Sequence, residues 1–102
     1  MIKRIVKLTF RPDQVETFLH NFENNKHNIR TFPGCLHLEL LRSTDEPNVF
    51  FTYSFWDAPT SLDAYRQSEL FAKVWKQTKV LFAQRAEAWS VELFDLVRPP
   101  RL

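Results

Sequence analysis

Val49-Phe50-Phe51-Thr52-Tyr53-Ser54-Phe55-Trp56 alternates as a β-strand with both faces rich in apolar rings. Val49, Phe51, Tyr53 and Phe55 fall on one face, and Phe50, Thr52, Ser54 and Trp56 on the other. Immediately upstream, Cys35 to Arg42 alternates again, with Leu36, Leu38 and Leu40 opposed to His37, Glu39 and Leu41. The polar run Ser43 to Asn48 supplies the reversal, so the two segments read as a hairpin.

Working outward, Ile2 to Phe10 forms an N-terminal strand with Ile2, Val6, Leu8 and Phe10 on one side, interrupted only by Arg4. Pro12 suits the first turn of a helix, and Val15, Phe18, Leu19, Phe22 and Ile29 recur at helical spacing, which predicts a helix over about Pro12 to Arg30. Phe32-Pro33-Gly34 stops it. A second helical region is expected over about Pro59 to Gln84, broken near Ser68, on the stripe Leu62, Tyr65, Leu70, Phe71, Val74, Trp75, Thr78, Leu81 and Phe82. Trp89 to Val97 is β-rich and predicts a closing strand, followed by a Pro-rich tail, Arg98 to Leu102. The order is strand-helix-strand-strand-helix-strand in a single domain, 1–102, of the α+β class. Its helices can cover one face of a four-stranded antiparallel sheet, and the aromatic residues on the other face call for a symmetric homodimer.

Composition narrows the function classes. A net charge of +2 with interspersed signs argues against a nucleic-acid or membrane-surface footprint. The apolar runs predict no membrane-spanning helix. The lone cysteine, Cys35, can form no intramolecular disulfide, and Met1-Ile2-Lys3-Arg4 has no signal-peptide character, so a reducing cytoplasm is the expected location. One glycine in 102 residues excludes a glycine-rich phosphate loop. The aromatic share of 15% points to a large-ring core or a ring-lined cavity.

Phe32-Pro33-Gly34-Cys35, Thr52-Tyr53-Ser54-Phe55-Trp56 and Leu62-Asp63-Ala64-Tyr65-Arg66-Gln67-Ser68-Glu69-Leu70-Phe71 together resemble the antibiotic biosynthesis monooxygenase family, over nearly the whole chain. The resemblance implies a ferredoxin-like protomer, a dimeric α/β barrel, and a pocket between helices and sheet that includes the tryptophan ending the third strand, here Trp56. It also implies cofactor-free oxygenation of quinols or phenols, with no metal and no cofactor. Two departures accompany it. Many members carry histidines where this chain has Tyr65 and Leu70, and the haem-degrading branch has its iron-ligating histidine about where Trp75 stands.

Such chemistry needs a desolvated phenol or quinol, help with its ionisation, and donors where charge develops. Thr52, Trp56 and Tyr65 are the catalytic candidates: Thr52, Ser54 and Trp56 offer two hydroxyls and an indole N–H from one strand face. Ser54, Arg66, Phe71 and Trp75 are the substrate-binding candidates, for a small aromatic ligand. The competing view of Trp56 and Trp75 is plain core. His37 and Glu39 share a strand face as the one possible His-carboxylate pair there, and read as a chance pairing or a dimer-interface polar cluster. His20 and His27, seven residues apart, read as solvated, and Cys35 as a buried thiol. Two further functions compete: a non-catalytic small-molecule-binding or stress-response dimer, and an RNA-binding ferredoxin-like domain. The latter is disfavoured by the absence of a Lys/Arg-Gly-Phe pattern.

Overall fold

The hairpin forms over the predicted bounds, Cys35–Arg42 and Val49–Trp56. In the computed structural model, which describes residues 1–101, β1 (Ile2–Thr9), β2 (Cys35–Arg42), β3 (Val49–Trp56) and β4 (Glu87–Val91) make one antiparallel sheet in the order β2-β3-β1-β4. That order is the ferredoxin-like one. After β1, Pro12 opens a single 3-10 turn, Pro12–Gln14, that leads into α1 (Val15–Arg30). The second helical region is two helices, α2 (Pro59–Arg66) and α3 (Glu69–Lys79). Ser68 separates them: its Oγ donates to the Tyr65 carbonyl at 2.6 Å and accepts from the Phe71 amide at 3.1 Å, closing one helix and capping the next.

Four expectations need correction. The pairing jumps from Cys35–Trp56 to His37–Phe55, so two residues of β2 oppose one of β3. This bulge sets Leu36 outside the alternation at 47% exposed, while Cys35 turns into the core with Leu38 and Leu40. The last helix stops at Lys79, well before Gln84, because Phe82 is drawn into a bridge with Phe10 and the Ala83 amide donates to the Thr9 carbonyl at 2.9 Å. β4 starts at Glu87 and ends at Val91, six residues short of the expected Val97. Val91 pairs with Lys3, and the ladder with β1 ends at that pair. Leu93, Phe94, Leu96 and Val97 are exposed, and Leu102 lies outside the described residues.

The fourth concerns the outer sheet face, expected to be apolar. Pairing aligns it in rows: His37–Phe55–Lys3–Val91, Glu39–Tyr53–Ile5–Trp89 and Leu41–Phe51–Lys7–Glu87. β3 contributes rings, but β1 and β2 interleave charges among them. Lys3 Nζ lies 4.8 Å from the Phe55 ring centre and His37 packs on the same ring at 4.6 Å.

The inner face packs against the helices through two nests. One gathers Leu8, Phe10, Val15, Phe18, Phe50 and Leu81; the other gathers Ile29, Cys35, Trp56, Leu62 and Tyr65. α1 and α3 are pinned by Asn25, a buried polar residue on the apolar stripe, whose amide donates to Gln77 Oε1 at 3.0 Å. Among the described residues no helix is long and apolar enough to cross a membrane.

Candidate functional site

The two nests do not meet completely. Between them, under α2 and α3, lies a cavity of about 340 Å³. Strand alternation sends Thr52, Ser54 and Trp56 of β3 to its floor, together with Arg4 of β1. Ala86 and Ala88, small side chains at the β4 end, leave room beside them. The helices contribute Tyr65 and Arg66 from the last turn of α2, and Phe71 and Trp75 from one face of α3. All seven candidates read from the sequence therefore line one cavity.

Four of them form a continuous ring wall. Trp56 stacks on Tyr65 with centroids 5.1 Å apart, Tyr65 meets Phe71 edge-on at 5.2 Å, and Phe71 stacks on Trp75 at 5.8 Å. Trp56 is also a core residue, only 1% exposed. Its indole N–H donates to Ser54 Oγ at 3.0 Å. This corrects the expectation that the N–H serves a ligand: the strand itself consumes it.

Tyr65 is buried, and burial first, then the neighbouring Cys35, push its hydroxyl well above the usual phenol range. It stays protonated at neutral pH, fit to donate a hydrogen bond and unfit to act as a base. Thr52 is half-buried on the cavity floor.

The residue missed as a site candidate is Arg4. Its signal was the break in the apolar face of β1, one charge between Ile2 and Val6. Arg4 Nη1 donates to Ser90 Oγ at 3.0 Å, and partial burial together with the charge of Arg66 holds the guanidinium below its ordinary pKa. Among the described residues no histidine, aspartate or glutamate lines the cavity.

The remaining titratable candidates lie elsewhere. His37 Nε2 and Glu39 Oε1 are 3.4 Å apart on the outer face. His20 contacts Asn24 on the exposed side of α1, and His27 is exposed. Cys35 is buried and its thiol donates to the His37 carbonyl at 3.6 Å; burial raises its pKa, which suits a structural thiol. Among the described residues no three His, Cys, Asp or Glu side chains converge on a metal-binding geometry.

The family model described as antibiotic biosynthesis monooxygenase matches residues 1–77 of the 102. No curated protein is significantly similar in sequence. Solved structures that share the fold include an antibiotic biosynthesis monooxygenase at TM-score 0.87 and 19% identity, with 93% of this chain and 100% of that chain covered. Rv0793 from Mycobacterium tuberculosis matches at TM-score 0.85 and 18% identity, over 95% and 98% of the two chains. A conserved protein from Methanosarcina mazei Go1 matches at TM-score 0.84 and 17% identity, over 88% and 89%. At these identities the structural likeness concerns the fold alone.

Proposed function

The chain belongs to the antibiotic biosynthesis monooxygenase family, and from that premise we propose that it oxidises a phenol or quinol with O2, without a cofactor, in the cavity beneath α2 and α3. The carrying observation is that the ring wall Trp56–Tyr65–Phe71–Trp75 and Thr52 line one cavity large enough for a small aromatic molecule. The rings take the aromatic body out of water. The hydroxyls of Tyr65 and Thr52 donate to the substrate oxygen, and the positive field of Arg4 and Arg66 favours its anion, so the phenolic proton leaves to solvent. The phenolate passes one electron to O2, the two radicals combine at a ring carbon, the peroxide formed takes up a proton from solvent, and loss of water with the hydrogen of that ring carbon leaves the quinone: one phenol and one O2 give one quinone and one H2O.

O2 consumption with a panel of quinols and naphthols, in the absence of flavin and metal, tests this. Turnover that falls at least tenfold in Tyr65→Phe, roughly the loss of one hydrogen bond to a developing charge, supports it. No turnover above the uncatalysed rate across the panel counts against it.

A second reading, a non-catalytic small-molecule-binding dimer, is favoured by one observation: among the described residues no histidine, aspartate or glutamate lines the cavity. Tight binding of the same aromatics with no O2 consumption would select it. Both readings use a homodimer, supported by Phe51, Tyr53, Phe55, Ile5 and Trp89 on the sheet face that no helix covers.

A further inference from the structure

Arg4 and Arg66 both line the cavity, from β1 and from the last turn of α2. Arg4 stands on the inward row of β1, directly opposite Ser54 on one side and Ser90 on the other. Ser54 Oγ is occupied by the Trp56 indole, and Ser90 accepts one Arg4 N–H. The rest of that guanidinium has no carboxylate: among the described residues the ion pairs are Lys26–Glu23 and His37–Glu39, both remote. Arg66 is exposed and lines both the cavity and an adjoining surface groove along α3, which places it at the cavity's edge. That groove adds Lys76 and Lys79 and also contains no Asp or Glu. Asp63 and Glu69 flank Arg66 in sequence, yet neither lines the cavity or the groove.

Position in the last turn of α2 accounts for Arg66 as a helix-end cation. It does not account for Arg4, a charge placed on an otherwise apolar strand face within electrostatic reach of a second positive charge. Two like charges bordering one ring-lined cavity without a counter-ion are an arrangement that an anion would relieve.

We propose that the ligand is an aromatic carboxylate, its rings against the Trp56–Tyr65–Phe71–Trp75 wall and its carboxylate held by Arg4 and Arg66 at the cavity's edge. The planar carboxylate matches the guanidinium fork, and the Lys76 and Lys79 groove steers the anion inward. This rests on the cavity being the ligand site, and it narrows the substrate class to hydroxyaryl carboxylic acids.

The test compares 6-hydroxy-2-naphthoate with 6-hydroxy-2-naphthamide, which have the same rings and phenol, by calorimetric titration of the full chain at neutral pH. The acid is expected to bind about tenfold more tightly, a preference that shrinks as salt is raised. Arg66→Gln, at an exposed position that folding tolerates, brings the acid-to-amide ratio close to one, and Arg66→Lys restores part of it. Equal binding of acid and amide to the wild-type chain, or a ratio unmoved by Arg66→Gln, overturns the carboxylate assignment and leaves the cavity as an aromatic site. Binding of neither probe overturns the assignment together with the cavity reading beneath it.

Discussion

Trp56 donates its indole N–H to Ser54 Oγ at 3.0 Å, two residues back on the same face of β3, and stacks on Tyr65 while only 1% of it is exposed. One side chain therefore serves as core and as cavity wall. The sequence poses these roles as alternatives, and the fold combines them by leaving the gap between two core nests at the edge of this ring.

Trp56→Ala should accordingly lose stability like a core deletion, about 3–5 kcal/mol in urea unfolding. Thr52→Val is the contrasting variant. Thr52 is half-buried on the cavity floor, so its stability change should stay below about 1 kcal/mol, while affinity for an aromatic ligand falls by roughly 1–3 kcal/mol where a ligand group loses its partner. A Thr52→Val protein that is destabilised yet binds ligand normally would remove Thr52 from the site.

Gly34 lies at φ +89°, and a Cβ there would run into the Ser61 side chain and approach Asp57 Oδ1 at 2.8 Å. Gly34→Ala should cost about 1–3 kcal/mol, combining left-handed backbone strain with the clash at the start of α2. Adding Ser61→Gly, read against the Ser61→Gly single variant, which itself loses the hydrogen bond to Asp57, should recover only the part due to the Ser61 contact. Thermal unfolding of the single and double variants separates the two; full recovery in the double variant would show that backbone conformation contributes nothing.

The bounds of the β2–β3 hairpin were legible to the residue because β-branched and aromatic side chains and the flanking polar turn agree there. Ser68 as the helix break was legible for the same reason: a capping residue interrupts an apolar stripe. The failures share a different cause. Leu36 is displaced by a bulge that depends on what β3 offers opposite it, and Leu81 and Phe82 leave the helical stripe because Phe10 and Thr9 capture that segment. β4 stops at the pair of Val91 with Lys3, where its ladder with β1 ends. All three are set by distant partners that local periodicity does not encode. Arg4 was visible as an interruption, but its meaning required Arg66 and the cavity to be placed beside it.

Alkaline stability follows from Tyr65 and Cys35, whose folded pKa values both lie above the ordinary 10.0 and 9.0. For each, the folded state holds its proton longer than the unfolded chain does. The resulting stabilisation is complete below the unfolded pKa and is lost as pH climbs toward the folded one. Unfolding free energy should therefore decline from about pH 9 upward. Tyr65→Phe should flatten the part of that decline above about pH 10, and Cys35→Ala the part that begins near pH 9. A decline unchanged in both variants would assign it to other groups.

The homodimer is best tested on the outer face, where the neighbours of each ring decide which substitution is harmful. Phe51 sits directly opposite Lys7, so Phe51→Asp creates a carboxylate with a cross-strand cation beside it. Tyr53 lies between Ile5 and Glu39, with Trp89 one strand further, so Tyr53→Asp sets a second negative charge next to Glu39 in the most apolar row of the face. If two sheets pack face to face, that charge is buried without a partner and costs several kcal/mol of association, whereas Phe51→Asp costs less. Sedimentation at micromolar concentration should give a dimer for the wild-type chain, a monomer or little soluble protein for Tyr53→Asp, and an intermediate, salt-sensitive dimer for Phe51→Asp. A wild-type chain that sediments as a monomer, with the rings of β3 in water, would sink the dimer and require the Lys3, Lys7 and His37 contacts to account for that face alone.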